Sequence, residues 1–372
     1  MSRTIPINQR CLLFILLVIL VSMVNQGYAV SRHTLILVDD DTNYHLRVLE
    51  LLSSGEIVTT GQSILVGPIN DRAIAVSPDQ QYVWTGATSG TGDWGVKQFI
   101  ISSDGQLNPT SRFINCGGPS WDAKFTPNGQ LLFLNGPIYR TFPNGSVEST
   151  TNWYSAEYHI SPLGNINLRF DGIGASVDKI DYSGYSVYNI QYVELDSGVG
   201  AEAYDVEYTP DGKYAIIANG GGLPTEVEIY PILEDGSLDT THIQGFDMTY
   251  GNVADLIGVS KDGRYIYVGS PYPNQIGVLR KKIAGDGFED TGWRISLTYV
   301  PWYMLVSPDG KYLVTTDMRI FETFAIQDDG NLVATGYQFP YESIFGTANN
   351  YFQFAYPPAP TEVEYQNWQL YE

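Results

Sequence analysis

The chain has 372 residues, 41 of them acidic and 20 basic, for a formal net charge of −21. A surface this acidic repels nucleic acid and anionic lipid, which excludes both as partners on electrostatic grounds. With only two cysteines, Cys11 and Cys116, and 13% aromatic residues, the fold must rest on an apolar core and not on a disulfide framework.

Residues 1–29 read as a secretory signal peptide. Arg3 and Arg10 precede the apolar run "CLLFILLVILVSMV", and Gly27 and Ala29 are the small residues expected at a cleavage site after Ala29. The run is shorter than the roughly 20 residues that a membrane-spanning helix needs, and no second apolar span follows. Cleavage removes two arginines and no acid, taking the net charge from −21 to −23 and leaving Cys116 as the lone cysteine. The expected product is a secreted or periplasmic monomer with no membrane span, made of a single domain over 30–360 and a tail over 361–372.

In chain order, one turn recurs six times. It reads "VSPDQQYVWTG" from Val76, "FTPNGQLLFLNG" from Phe125, "ISPLGNINLRF" from Ile160, "YTPDGKYAIIANG" from Tyr208, "VSKDGRYIYVGS" from Val259 and "VSPDGKYLVTTD" from Val306. Each joins an apolar segment to one rich in Tyr, Val and Ile through Ser/Thr, Pro, Asp/Asn and Gly, which marks two strands and a tight turn. A second turn alternates with the first, with glycines at 55, 105, 145, 198, 236, 287 and 330. Asp-Gly and Asn-Gly between apolar runs are hairpin signals. Two turns per repeat of about 35 to 50 residues give four strands per unit, the pattern of an all-β propeller blade. Seven second turns against six first turns predict seven blades and a ring closed from both chain ends. "HTLILV", "HLRVLELL" and "EIVTTG" would supply three strands of the closing blade, and "YFQFAY" at 351–356 the innermost one.

The alternation of "SPDGKYLV" and "DDGNL" turns resembles the lactonase-type seven-bladed propellers, which include bacterial 6-phosphogluconolactonase, and the related surface-layer propellers with YVTN-like repeats. The resemblance spans 31–360. It implies hydrolysis of a sugar lactone, with Arg and His offered where innermost strands begin. The matching starts here are "NDRAIAVSP", "GGPSWDAKFTP", "SAEYHISP", "EAYDVEYTP", "VADLIGVSK" and "VPWYMLVSP". Arg72 is their basic residue at the expected place, and His159 falls further along its strand.

Both repeated turns lie on one face of such a disc, so variable loops and the strand starts around the channel lie on the other, where a rigid scaffold displays function. The candidate ligand-binding residues at this mouth are Arg72, Trp121, Asp122, Glu157, Tyr204, Asp205, Asp255, Trp302 and Tyr303. Four carboxylates, four aromatics and one arginine suit a cation, a sugar or another small polar ligand better than a phosphate. Ca²⁺ between Asp205 and Asp255 is conceivable from their oxygen ligands, against the plainer alternative that strand-start acids cap backbone amides. Trp94, Trp121 and Trp302 suit either sugar stacking or packing between blades.

His33, His45, His159 and His242 lack metal-ligand spacing, so no metal cofactor is expected. No serine sits in a Gly-x-Ser-x-Gly context, and Cys116 in "INCGGPS" has no histidine nearby in sequence. Two channel carboxylates could still act as acid and base, since neighbouring like charges raise one pKa. Two readings follow. The first is an exported scaffold that binds a small polar ligand, a glycan or a protein partner at the channel. The alternative is a lactonase-like hydrolase of altered specificity.

Overall fold

The computed structural model describes residues 34–355, apart from 41–44, 68–72, 90–91, 117–121, 135, 155–157, 171–173, 196–201, 221–224, 249–253, 272, 318 and 341–351. These residues form seven antiparallel four-stranded sheets, arranged as the blades of a β-propeller. Among them no helix is long and apolar enough to cross a membrane.

Blade 1 is built from both ends of the domain. Phe352–Ala355 is its inner strand and pairs with Thr34–Asp40, followed outward by His45–Leu51 and Ile57–Leu65. The predicted closure is thus observed, in the register Leu35↔Ala355 to Val38↔Phe352. Blades 2 to 7 begin with the inner strands Ile74–Val76, Ala123–Phe125, His159–Ile160, Glu202–Tyr208, Leu256–Val259 and Tyr303–Val306, and each blade then runs outward in chain order.

Strands of Val, Ile, Leu and Tyr suit this arrangement because both faces of every blade are covered. Seven apolar clusters among the described residues each join two neighbouring blades. Phe99 and Val83 of blade 2 meet Leu46 and Val48 of blade 1, and Tyr312 and Phe321 of blade 7 meet Leu49 and Leu51 on the other side. The core is a set of wedges between blades, which accounts for stability without a disulfide.

The first turn has a shared mechanism. Ser307 Oγ donates to Asp309 Oδ1 (2.6 Å) and accepts the N–H of Tyr312 (3.0 Å), while Asp309 Oδ1 also takes the N–H of Lys311 (3.1 Å). The same bonds recur at Ser77, Thr209 and Ser260. Gly310 has φ +77°, and a Cβ there would lie 2.9 Å from Cβ of Lys261 in the preceding blade's turn. Glycine therefore serves both the left-handed backbone and the close stacking of turns. In blade 2 the left-handed position is held by Gln80, at φ 60°.

The second turns carry a further seam at the outer rim. The Gln191 side chain in blade 4 donates to the carbonyl of Leu238 (3.0 Å) and accepts its N–H (2.7 Å) in blade 5, imitating one step of a β-ladder. Gln62 of blade 1 does the same to Leu107 of blade 2. Blade 4 departs from the expected pattern. Its outer hairpin turns at Asp181–Ser186, where Asp181 Oδ1 accepts the N–H of Ser183 at 2.9 Å. Gly198, read from sequence as that hairpin, falls outside the described residues, between blades 4 and 5. A Ser-Gly pair in a linker and one in a hairpin look alike when periodicity is the only guide.

Candidate functional site

Each first turn closes with the same backbone bond, from the Ser/Thr N–H to the carbonyl five residues on. Counting back from that Ser/Thr therefore compares inner strands at one depth in the channel. Four residues back stand Ala73, Asp122, Glu157, Asp205, Leu256 and Tyr303. Two residues back, one level deeper, stand Ala75, Lys124, His159, Glu207, Gly258 and Leu305. The charged positions of both levels fall in blades 3 to 5, and the remaining blades present small or apolar residues, with Tyr303 as the partly polar exception.

At the upper level the carboxylates join blades. Asp205 Oδ2 accepts the N–H of Ile257 in blade 6 (2.7 Å), and its Oδ1 accepts the N–H of Val206 (2.8 Å). Asp122 Oδ2 accepts the N–H of Tyr158 in blade 4 (3.0 Å). Tyr208 completes the chain of contacts by donating its hydroxyl to the His159 carbonyl (2.7 Å). Burial raises the pKa of both Asp122 and Asp205, and the nearby positive charges of Lys124 and His159 and the backbone donors only partly offset it.

The deeper level supplies the chemistry. Burial, and secondarily the charge of Asp205, push Glu207 up to about 7. Lys124 and His159 lie close enough to Glu207 to act in the opposite direction. Asp255, just above in blade 6, is pushed up to about 6 by burial and then by Asp205. Its Oδ1 is buried and accepts no hydrogen bond among the described residues. A carboxyl that titrates near 6 to 7 can both take and return a proton at neutral pH, and the Lys124 ammonium and a ring N–H of His159 nearby can stabilise a developing anion.

Of the residues expected at the mouth, Asp205 lies close enough to Asp255 to raise its pKa, Asp122 and Asp205 share Lys124 and His159 as neighbours, Tyr204 and Trp302 are exposed, and Tyr303 is half-buried. Arg72, Trp121 and Glu157 lie outside the described residues. Lys124 and Glu207 were not expected, and His159, set aside as too far along its strand, belongs with them at one level. All three sit two residues before the turn Ser/Thr, a register that gains meaning only once the blades are set side by side. Trp94 is half-buried against the cluster between blades 1 and 2, and Cys116 packs between blades 2 and 3. Among the described residues no three His, Cys, Asp or Glu side chains converge to hold a metal ion.

No protein-family model and no curated protein sequence matches the chain. Solved structures do share its fold. A periplasmic gluconolactonase from Pseudomonas aeruginosa aligns with a TM-score of 0.69 at 15% identity, over 88% of this chain and 99% of that one. A 6-phosphogluconolactonase candidate from Bacteroides uniformis aligns with a TM-score of 0.69 at 14% identity, over 87% and 99% of the two chains. One from Bacteroides fragilis aligns with a TM-score of 0.65 at 16% identity, over 88% and 99%. At these identities the likeness shows the fold alone, a β-propeller.

Proposed function

We propose that this is an exported lactonase-like hydrolase acting on a small sugar lactone at the channel. The observation that carries the reading is the placement of Glu207, with its pKa near neutrality, beside Lys124 and His159. Likeness in fold to a periplasmic gluconolactonase and the N-terminal leader support both the chemistry and the export.

In the proposed reaction the Glu207 carboxylate removes a proton from water as the water oxygen bonds to the lactone carbonyl carbon. Lys124 and His159 offset the negative charge on the carbonyl oxygen. The bond from that carbon to the ring oxygen then breaks, the ring oxygen takes the proton back, and the open hydroxy acid leaves as a carboxylate, releasing one proton to solvent. The formal net charge of −21 disfavours a phosphorylated substrate and favours a neutral one.

The test is proton release from glucono-δ-lactone and its 6-phosphate, measured against spontaneous hydrolysis, for the purified chain and Glu207→Gln. The expected result is turnover of the neutral lactone that falls at least 100-fold in the variant. Background rates from both proteins on both lactones would overturn the proposal. One observation favours the second reading, a binding scaffold without turnover: Asp122 and Asp205 are already committed to backbone N–H groups of the next blade.

A further inference from the structure

Five residues before the turn Ser/Thr the sequence has Arg72, Trp121, Ala156, Tyr204, Asp255 and Trp302, of which Tyr204, Asp255 and Trp302 are among the described residues. Of the described residues in this set, two are large aromatics, Tyr204 and Trp302. Tyr204 is 52% exposed and Trp302 50%, whereas Trp84, Tyr230 and Tyr267 are buried between blades.

Their positions are built by the backbone. Asp255 and Trp302 occupy equivalent places in blades 6 and 7, each donating its N–H to the second strand, at Gly269 (3.0 Å) and Thr316 (2.8 Å). In blade 5 the pairing shifts between Ala203 and Asp205, so Tyr204 is the extra residue of a β-bulge. Bulges re-aim side chains, and here Tyr204 is exposed while Asp205 keeps its bond to Ile257. Between the two aromatics in blade order stands Asp255, a half-buried carboxyl. Exposed aromatic side chains on either side of a half-buried carboxyl in blade order match a pyranose ring, which has an apolar C–H face and hydroxyl donors at its edge.

We infer that the mouth is a pyranose subsite formed by Tyr204, Asp255 and Trp302, and that the preferred substrate is a lactone carrying a glycosyl substituent. The substituent would stack at the rim while the lactone ring reaches the deeper level of Lys124, His159 and Glu207. Such aldonolactones are products of reactions that oxidise the reducing end of an oligosaccharide, so that class of reaction would supply this substrate. The identity of the reacting group rests on the lactonase reading; the pyranose subsite does not.

The experiment separates the two. Calorimetric titration with cellobiitol, which has a pyranose ring but no lactone, is compared with sorbitol, which has neither, for the purified chain, Tyr204→Ala, Tyr204→Phe and Trp302→Ala. Cellobiitol is expected to bind at least tenfold more tightly than sorbitol. Each alanine variant should lose most of that difference at unchanged melting temperature, and Tyr204→Phe should retain it. In parallel, kcat/KM for cellobionolactone should exceed that for glucono-δ-lactone by tenfold or more, with the ratio collapsing in the alanine variants. Equal binding of the two alditols, or binding indifferent to both alanine substitutions, overturns the subsite. Selective cellobiitol binding with both lactones at background rates supports the subsite and overturns the lactonase reading.

Discussion

Asp205 in blade 5 accepts the backbone N–H of Ile257 in blade 6 at 2.7 Å, and the same carboxylate is the charge that helps hold Glu207 and Asp255 in their protonated forms. One residue thus joins two blades and sets the electrostatics of the channel. Asp205→Asn keeps an acceptor for Ile257 but removes the charge. The apparent pKa of Glu207 should therefore fall toward the ordinary carboxylate range, shifting the acidic limb of any pH–rate profile downward by a measurable fraction of a unit.

Stability should depend on pH with a definite sign. Glu207 and Asp255 have folded-state pKa values above their unfolded ones, at about 7 and about 6. Their contribution is complete below about pH 4 and is lost as pH rises through 6 and 7. Thermal denaturation between pH 5 and 8 should show a melting temperature that declines by on the order of a few degrees from these groups. Glu207→Gln should flatten that decline, and an unchanged slope would contradict the assignment.

Gln80 occupies a left-handed backbone position that glycine fills in the other first turns. Gln80→Gly should stabilise the protein by about 0.5 kcal/mol, the relief of the Cβ clash outweighing the added freedom of the unfolded chain. Urea denaturation is the check, with the neighbouring Gln81→Gly as the contrasting, destabilising change.

The outer seam predicts a loss. Gln191 both donates to and accepts from Leu238, so Gln191→Ala leaves two backbone groups of the next blade without a side-chain partner. The expected cost is about 1 to 3 kcal/mol in chemical denaturation.

Ring closure predicts a larger effect. Removing residues 352–372 strips the inner strand from blade 1 and leaves Thr34–Asp40 as an open edge at the channel. The truncated chain should lose its single cooperative unfolding transition and self-associate through that edge, observable by light scattering.

The architecture was legible in the residues because it is written in local chemistry. A Ser/Thr-x-Asp turn with glycine makes its own hydrogen bonds within six residues, and its repetition announces four-stranded blades before any contact between them is known. The closing strand at Phe352–Ala355 was legible from the count of turns. Lys124, His159 and Glu207 were not, because a charged residue in a strand carries no local mark of the partner it will meet. What brings them together is the rotation from one blade to the next, which sets residues about 35 to 50 positions apart at one depth around a common axis. The same rotation turns Asp122 and Asp205 toward the amides of the following blade, and it moves the carboxyl of Glu207 to near neutrality by surrounding it with protein. Burial and proximity of charge are properties of the closed ring, so the turns could declare the fold while only the assembled blades could create the site.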